Sequence, residues 1–114
     1  MAPMLMRRLS QPNVSRMVNW RGRSGRFYAL SPVRLADFSL EDNELYLIAR
    51  GSFVLWAGSG SDVISDPQSR SRFRLALAAA DRVFHVDSGA SDVERMTTVW
   101  DLEAATPVTE LSAA

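Results

Sequence analysis

Residues 44–58, ELYLIARGSFVLWAG, leave the backbone less freedom than any other stretch of this chain. Two arms, ELYLIAR and FVLWAG, are rich in the apolar, aromatic and β-branched residues that suit a half-buried pleated surface. Gly51-Ser52 stands between them, and glycine at the first central position of a two-residue loop accepts a positive φ. A tight β-hairpin is therefore expected here. A sheet built on it needs other elements to cover its apolar face.

Those elements follow in order. A polar loop, SGSDVIS, leads to Asp66-Pro67, a good N-cap followed by a residue suited to the first helical position. A helix is expected over residues 67–80, with Phe73, Ala76, Leu77 and Ala80 as its buried stripe. Residues 82–87, RVFHVD, are apolar at most positions and read as a strand covered on both faces, with His85 a hydrogen-bonded core histidine. Ser91 and Glu94 have the spacing of a capping box and open a last helix. Its apolar stripe is expected to be Val93, Met96, Thr97, Trp100 and Ala104, with Trp100 as the core anchor and Pro107 at its end.

Upstream, residues 16–20 and 26–30 alternate around RGRSG and predict a first hairpin with arginines at its tip. Ser31-Pro32 closes it, and residues 33–43 form a connector from which Leu35, Phe38 and Leu40 reach the core, with LEDN as one helical turn. Residues 1–14 have no periodicity and read as a flexible tail; residues 108–114 read as a frayed end. The prediction is one α+β domain over residues 15–107: an N-terminal β-hairpin followed by a ββαβα unit, a small antiparallel or mixed sheet packed with two helices. At 114 residues, with 46% apolar and 23% charged residues, a single core without covalent staples suffices.

Composition removes several chemistries. The chain has no cysteine, so disulfides and thiolate catalysis are excluded, and a single histidine cannot supply a zinc site of three or four His or Cys ligands. No apolar run approaches the roughly 20 residues that span a bilayer, and no adequate apolar segment follows the first arginines, so neither a membrane partner nor a secretory leader is expected and the protein reads as cytoplasmic. All thirteen basic residues are arginine, a bias that fits a high-GC bacterial genome. Zero net charge hides a strong asymmetry: residues 1–36 hold seven arginines and no acid, whereas residues 37–114 hold six arginines against thirteen acids. Such a split suits contact with nucleic acid or with an acidic protein, and equally a basic element docked on an acidic body. Arg21, Arg23 and Arg26 beside Trp20, Phe27 and Tyr28 are the mixture that holds a phosphate backbone and stacks on bases; Arg70 and Arg74 add a second basic patch one helical turn apart. The same mixture arises when the aromatics of an amphipathic hairpin simply face inward.

The order ββαβα over residues 44–107 resembles the GIY-YIG nuclease fold. Leu45-Tyr46-Leu47 stands where that family carries its first triplet, Trp56-Ala57-Gly58 stands at the second, and the ending Asp101-Leu102-x-Ala104-Ala105-x-Pro107 is similar to its last helix. The resemblance implies Tyr46, Trp56, an arginine of the first helix (Arg70, Arg72 or Arg74) and a Mg²⁺-binding glutamate as the site. The sequence departs from this pattern. Asp66 stands where the arginine would fall, and Thr98 or Val99 where the glutamate would; Glu94 and Glu103 lie about one turn to either side. An inactive relative is thus implied: a non-catalytic binding or adaptor module without cofactor, contacting nucleic acid through Arg21, Arg23, Arg26, Arg70 and Arg74. The alternatives are a residual Mg²⁺-dependent endonuclease using Tyr46, Trp56, an arginine and Glu94 or Glu103, and a protein–protein module meeting an acidic partner or its own copy. Elsewhere, Gly58-Ser59-Gly60 lacks the flanking glycines of a nucleophile elbow and the lysine of a phosphate loop. His85 has serines to pair with but no motif to place them, and Asp37, Glu41, Asp42 and Glu44 form an acidic patch beside the central hairpin.

Overall fold

A computed structural model describes residues 17–87 and 91–108; the two tails assigned above lie almost wholly outside the described residues. The fold is α+β. Strands β1 (Val18–Arg21), β2 (Phe27–Val33), β3 (Leu45–Arg50), β4 (Phe53–Ser59), β5 (Arg82–Val86) and β6 (Thr106–Pro107) form one sheet in the order β4-β3-β5-β2-β1-β6, antiparallel throughout. Helices α1 (Gly60–Ser65), α2 (Pro67–Ala79) and α3 (Asp92–Leu102) complete it.

The central hairpin is as expected: β3 and β4 pair across the Gly51-Ser52 turn, and Gly51 has φ +59°. Its amide donates to Asp81, which ties the turn to the strand that follows α2. The ladder slips at Leu55, since Ala49 pairs with Val54 but Ile48 with Trp56. This bulge puts Val54 and Trp56 on opposite faces of the sheet. β5 lies between β3 and β2, and its two-sided apolar sequence follows from that place: Phe84 and Val86 enter one core, Val83 the other.

The sheet is larger than the three strands expected of the ββαβα unit. The N-terminal hairpin is no appendage, because β2 continues through Ser31 and Pro32 to Val33 and pairs with β5. β1 ends its pairing at Leu30, so Pro32 lies on a stretch with one neighbouring strand, where sheets tolerate proline. Pro107 does not terminate α3; it sits in β6, paired with Trp20. The helices lie on opposite faces. One core gathers Trp20, Tyr28, Leu30, Leu45, Leu47, Phe84 and Val86 beneath Val99 and Leu102 of α3. The other gathers Tyr46, Ile48, Trp56 and Val83 beneath Phe73, Ala76 and Leu77 of α2, with Phe38 and Leu40 from the connector.

Three local expectations fail. The polar loop after β4 is in fact the short helix α1, closed by its own capping box in which Ser59 Oγ accepts from the Asp62 amide and Asp62 accepts from the Ser59 amide. The helical turn of the connector falls at Leu35–Asp37, with Leu35 exposed, and not at LEDN. The third failure concerns α3. Val93, Met96 and Trp100 are 73%, 72% and 50% exposed, Thr97 and Ala104 are also exposed, and the buried face carries Thr98, Asp101 and Leu102. At about 100° per residue these two sets lie on opposite sides of the helix. A buried aspartate set the orientation that an apolar stripe was expected to set.

Candidate functional site

Asp101 is 3% exposed and joins the N-terminal hairpin to α3. Its carboxylate accepts from the Ser24 amide at 2.6 Å, the Ser24 hydroxyl at 2.8 Å and the Tyr28 hydroxyl at 2.7 Å. Its carbonyl accepts from the Arg23 amide at 2.9 Å, and the Arg23 guanidinium donates to the Trp100 carbonyl at 3.2 Å, so the hairpin tip satisfies carbonyls of the last helical turn. Burial alone would raise the Asp101 carboxyl; the hydrogen bonds from Tyr28 and Ser24, with Arg26 nearby, outweigh it and hold the group below the usual carboxylate range. Burial, then the bond and charge of Asp101, push Tyr28 up to about 12. RGRSG is therefore first a carboxylate cradle. Gly22 completes it: a Cβ there would lie 2.5 Å from Asp101 Cγ. Gly22→Ala is expected to cost about 1–3 kcal/mol in a denaturant melt, and markedly less in an Asp101→Ala background, because the clash needs the carboxylate.

The residues implied by the resemblance are dispersed. Tyr46 and Trp56 stand on neighbouring strands on the same face, but both are buried. Tyr46 donates to the Ser39 carbonyl at 3.4 Å and meets Phe38 and His85 edge-on; burial raises its hydroxyl above the usual tyrosine value. Trp56 packs against Phe73 and over Gly58, where a Cβ would lie 2.7 Å from the ring. Arg70 caps α1, donating to the carbonyls of Val63 at 3.0 Å and Ile64 at 2.8 Å, while Arg74 is exposed on α2. Glu94 closes the capping box of α3 with Ser91, and Glu103 ends that helix. α3 covers the face opposite Tyr46, so the tyrosine and these glutamates do not converge. Among the described residues no three His, Asp or Glu side chains come together as a metal site. The side chains present do not fit the Mg²⁺ centre of such a nuclease.

The five arginines of the two basic patches do not form one surface either. Arg70 and Arg74 ride on α2 over β3 and β4, whereas Arg21, Arg23 and Arg26 belong to the hairpin beyond β5. Arg23 stacks on Trp100 at 4.4 Å and Arg26 on Tyr28 at 5.1 Å. Arg21 differs. It pairs across the strands with Phe27 and lies 5.8 Å from that ring, on the face that α2 leaves uncovered. Asn19, Arg21, Phe27 and Ala29 are all exposed there, Phe27 at 63%. They alternate with Trp20, Tyr28 and Leu30, which fill the core beneath α3. On the same sheet face Ser31 stands opposite His85, whose Nε2 is hydrogen-bonded to the Glu44 carboxylate.

A cleft of about 930 Å³ runs along the free edge of β4, between α3 on one side and α1 and α2 on the other. Leu55, Trp56, Met96, Val99 and Trp100 give it an apolar floor and wall; Asp42, Asp62 and Glu103 with Arg72 and Arg95 form its charged rim. Of Thr98 and Val99, the two positions at which the resemblance would put the metal-binding carboxylate, Val99 lines this cleft as an apolar side chain and Thr98 is buried. Neither the cleft nor the buried, anchoring role of Asp101 was read from the sequence, where Asp101 figures only in the ending of the last helix. A lone aspartate in the last turn of a helix carries no pattern that sets it apart from a solvated one.

No family model, no curated protein and no solved structure matches the chain. No described helix is long and apolar enough to cross a membrane.

Proposed function

We propose that the chain is a non-catalytic nucleic-acid-binding module, derived from a GIY-YIG-like ancestor, that engages single strands on the uncovered face of the β1–β2 hairpin. The observation that carries this reading is the Phe27 ring, 63% exposed on a sheet face with the Arg21 guanidinium beside it. A base stacks on such a ring whatever its sequence, and an adjacent arginine takes the phosphate. The first 36 residues, with seven arginines and no acid, supply the long-range attraction. Tyr46, Arg70 and Glu94 are spent on holding the fold, which favours binding over hydrolysis.

The test is fluorescence anisotropy with labelled single-stranded DNA and RNA over a salt series. Affinity is expected to fall linearly in log–log form as counterions are released, and Arg21→Ala to reduce that slope by about 0.7. Phe27→Ala is expected to cost about 1–3 kcal/mol of binding, with Phe27→Trp retaining it. Failure of the wild-type chain to bind at low salt, or equal binding by Phe27→Ala, contradicts the proposal.

A further inference from the structure

The uncovered face of the sheet does not end at the β1–β2 hairpin. Phe27, Ala29 and Ser31 of β2 share it by strand parity, and Ser31 pairs with His85 of β5. His85 Nε2 is hydrogen-bonded to the Glu44 carboxylate, whose side chain is 47% exposed. Next to this pair Tyr46 is already buried against Phe38, so the carboxylate stands at the border of the open face. The face therefore has two unlike ends. Phe27 and Arg21 form one; Glu44 held by His85 forms the other, with the exposed Asp87 adding negative charge just past β5. Phe27 and Ser31 are four residues apart, about 13 Å along an extended strand, so the two ends meet different nucleotides.

We infer that Glu44 reads a base edge and selects guanine in the bound single strand. This rests on the nucleic-acid reading above and adds a specificity to it. An anionic end repels phosphate, so the backbone keeps to the Arg21 side and what reaches Glu44 is a base. An ionised carboxylate only accepts hydrogen bonds, and single strands leave the Watson–Crick edges of their bases open. Guanine alone carries two adjacent donors on that edge, N1–H and the N2 amino group. Adenine, cytosine and uracil or thymine each set an acceptor beside the donor, which a carboxylate repels. Phe27, by contrast, stacks on any base. His85 is a positioning residue: its bond to Oε1 fixes the carboxylate, and Oε2 has no hydrogen-bond partner among the described residues. Holding the long side chain beforehand spares the ordering cost that binding otherwise carries. An arginine-bearing peptide offers similar donors, but Arg21 on the same face opposes a basic chain.

The experiment is fluorescence anisotropy on the full chain with short labelled oligothymidylates in which one internal residue is guanosine, adenosine, cytidine or inosine. The guanosine strand is expected to bind roughly tenfold tighter than the adenosine and cytidine strands. Inosine, which lacks the N2 amino group, should fall between. Glu44→Gln should abolish the guanine preference while affinity for the adenosine strand holds or rises, because a repelling charge is gone. A merely structural role would lower the affinity for every strand alike. His85→Phe should reduce the preference, whereas Asp87→Asn should change the overall affinity and leave the preference intact. Circular dichroism confirms that each variant is folded. Equal affinity for the four strands overturns the inference, as does a preference that survives Glu44→Gln or one that Asp87→Asn removes. In those cases binding that still depends on Phe27 leaves the nucleic-acid reading standing, whereas a chain that binds no strand at low salt overturns both.

Discussion

Asp101→Ala should lower the unfolding free energy by about 3–5 kcal/mol, because it strands several donors at once. The Tyr28 hydroxyl loses its acceptor in a core position, and the Ser24 amide and hydroxyl lose theirs in a part-buried tip. Leaving a buried donor unmade costs more than the net gain of making it. Asp101→Asn keeps an acceptor but not the charge and should fall between Ala and wild type. The effect should appear in urea melts as a lower midpoint at unchanged slope. It also sets the response to pH. The folded Asp101 carboxyl lies below its unfolded value, so its contribution is complete above the ordinary aspartate range and is lost as pH falls through the folded value. Tyr28 acts at the other end: pushed from 10.0 to about 12, it contributes fully below pH 10 and loses that contribution, roughly 2–3 kcal/mol, as pH rises toward 12. Tyr28→Phe should remove most of the alkaline loss, and Asp101→Ala should abolish the acid limb and reduce the alkaline one, since burial, the largest cause of the Tyr28 shift, remains.

Trp20→Ala should cost a comparable amount, about 3–5 kcal/mol, by opening a cavity under the hairpin. Trp20 is fully buried between β2 and β6, pairs with Tyr28 and Pro107, and meets Phe84 edge-to-face at 5.6 Å. Its Nε1 is buried with no hydrogen-bond partner among the described residues. Trp20→Phe therefore forfeits ring area but no hydrogen bond, and should cost well under half as much. If Trp20→Phe proves as damaging as Trp20→Ala, the indole nitrogen makes a contact that the structure does not contain. Both variants should also weaken the nucleic-acid binding proposed above, because Trp20 holds from below the hairpin whose outer face carries Arg21 and Phe27.

How far the fold was legible depended on whether a residue's role was local. The Gly51 turn, the Asp66-Pro67 helix start and the Ser91–Glu94 box are short-range devices, and each stands where the sequence places it. The stripe of α2 was legible because Phe73, Ala76 and Leu77 meet a sheet that is apolar where they land. α3 was not, because its orientation answers to Ser24 and Tyr28, more than seventy residues away, through Asp101. Pattern alone put Val93, Met96 and Trp100 inward; a buried carboxylate turned them outward. The arginine cluster of the first hairpin was visible as composition. Its division into a structural member, Arg23, and a surface member, Arg21, depended on strand parity and on which face α2 covers.

The central proposal is tested most directly by a ¹⁵N-labelled backbone titrated with a short single-stranded oligonucleotide and followed by amide chemical shifts. The expected result is a set of salt-sensitive shifts on Asn19, Arg21, Phe27 and Ala29, absent in Phe27→Ala, with α2 and the β4 cleft unmoved. Shifts confined to α2 or the cleft, or none at low salt, would contradict it.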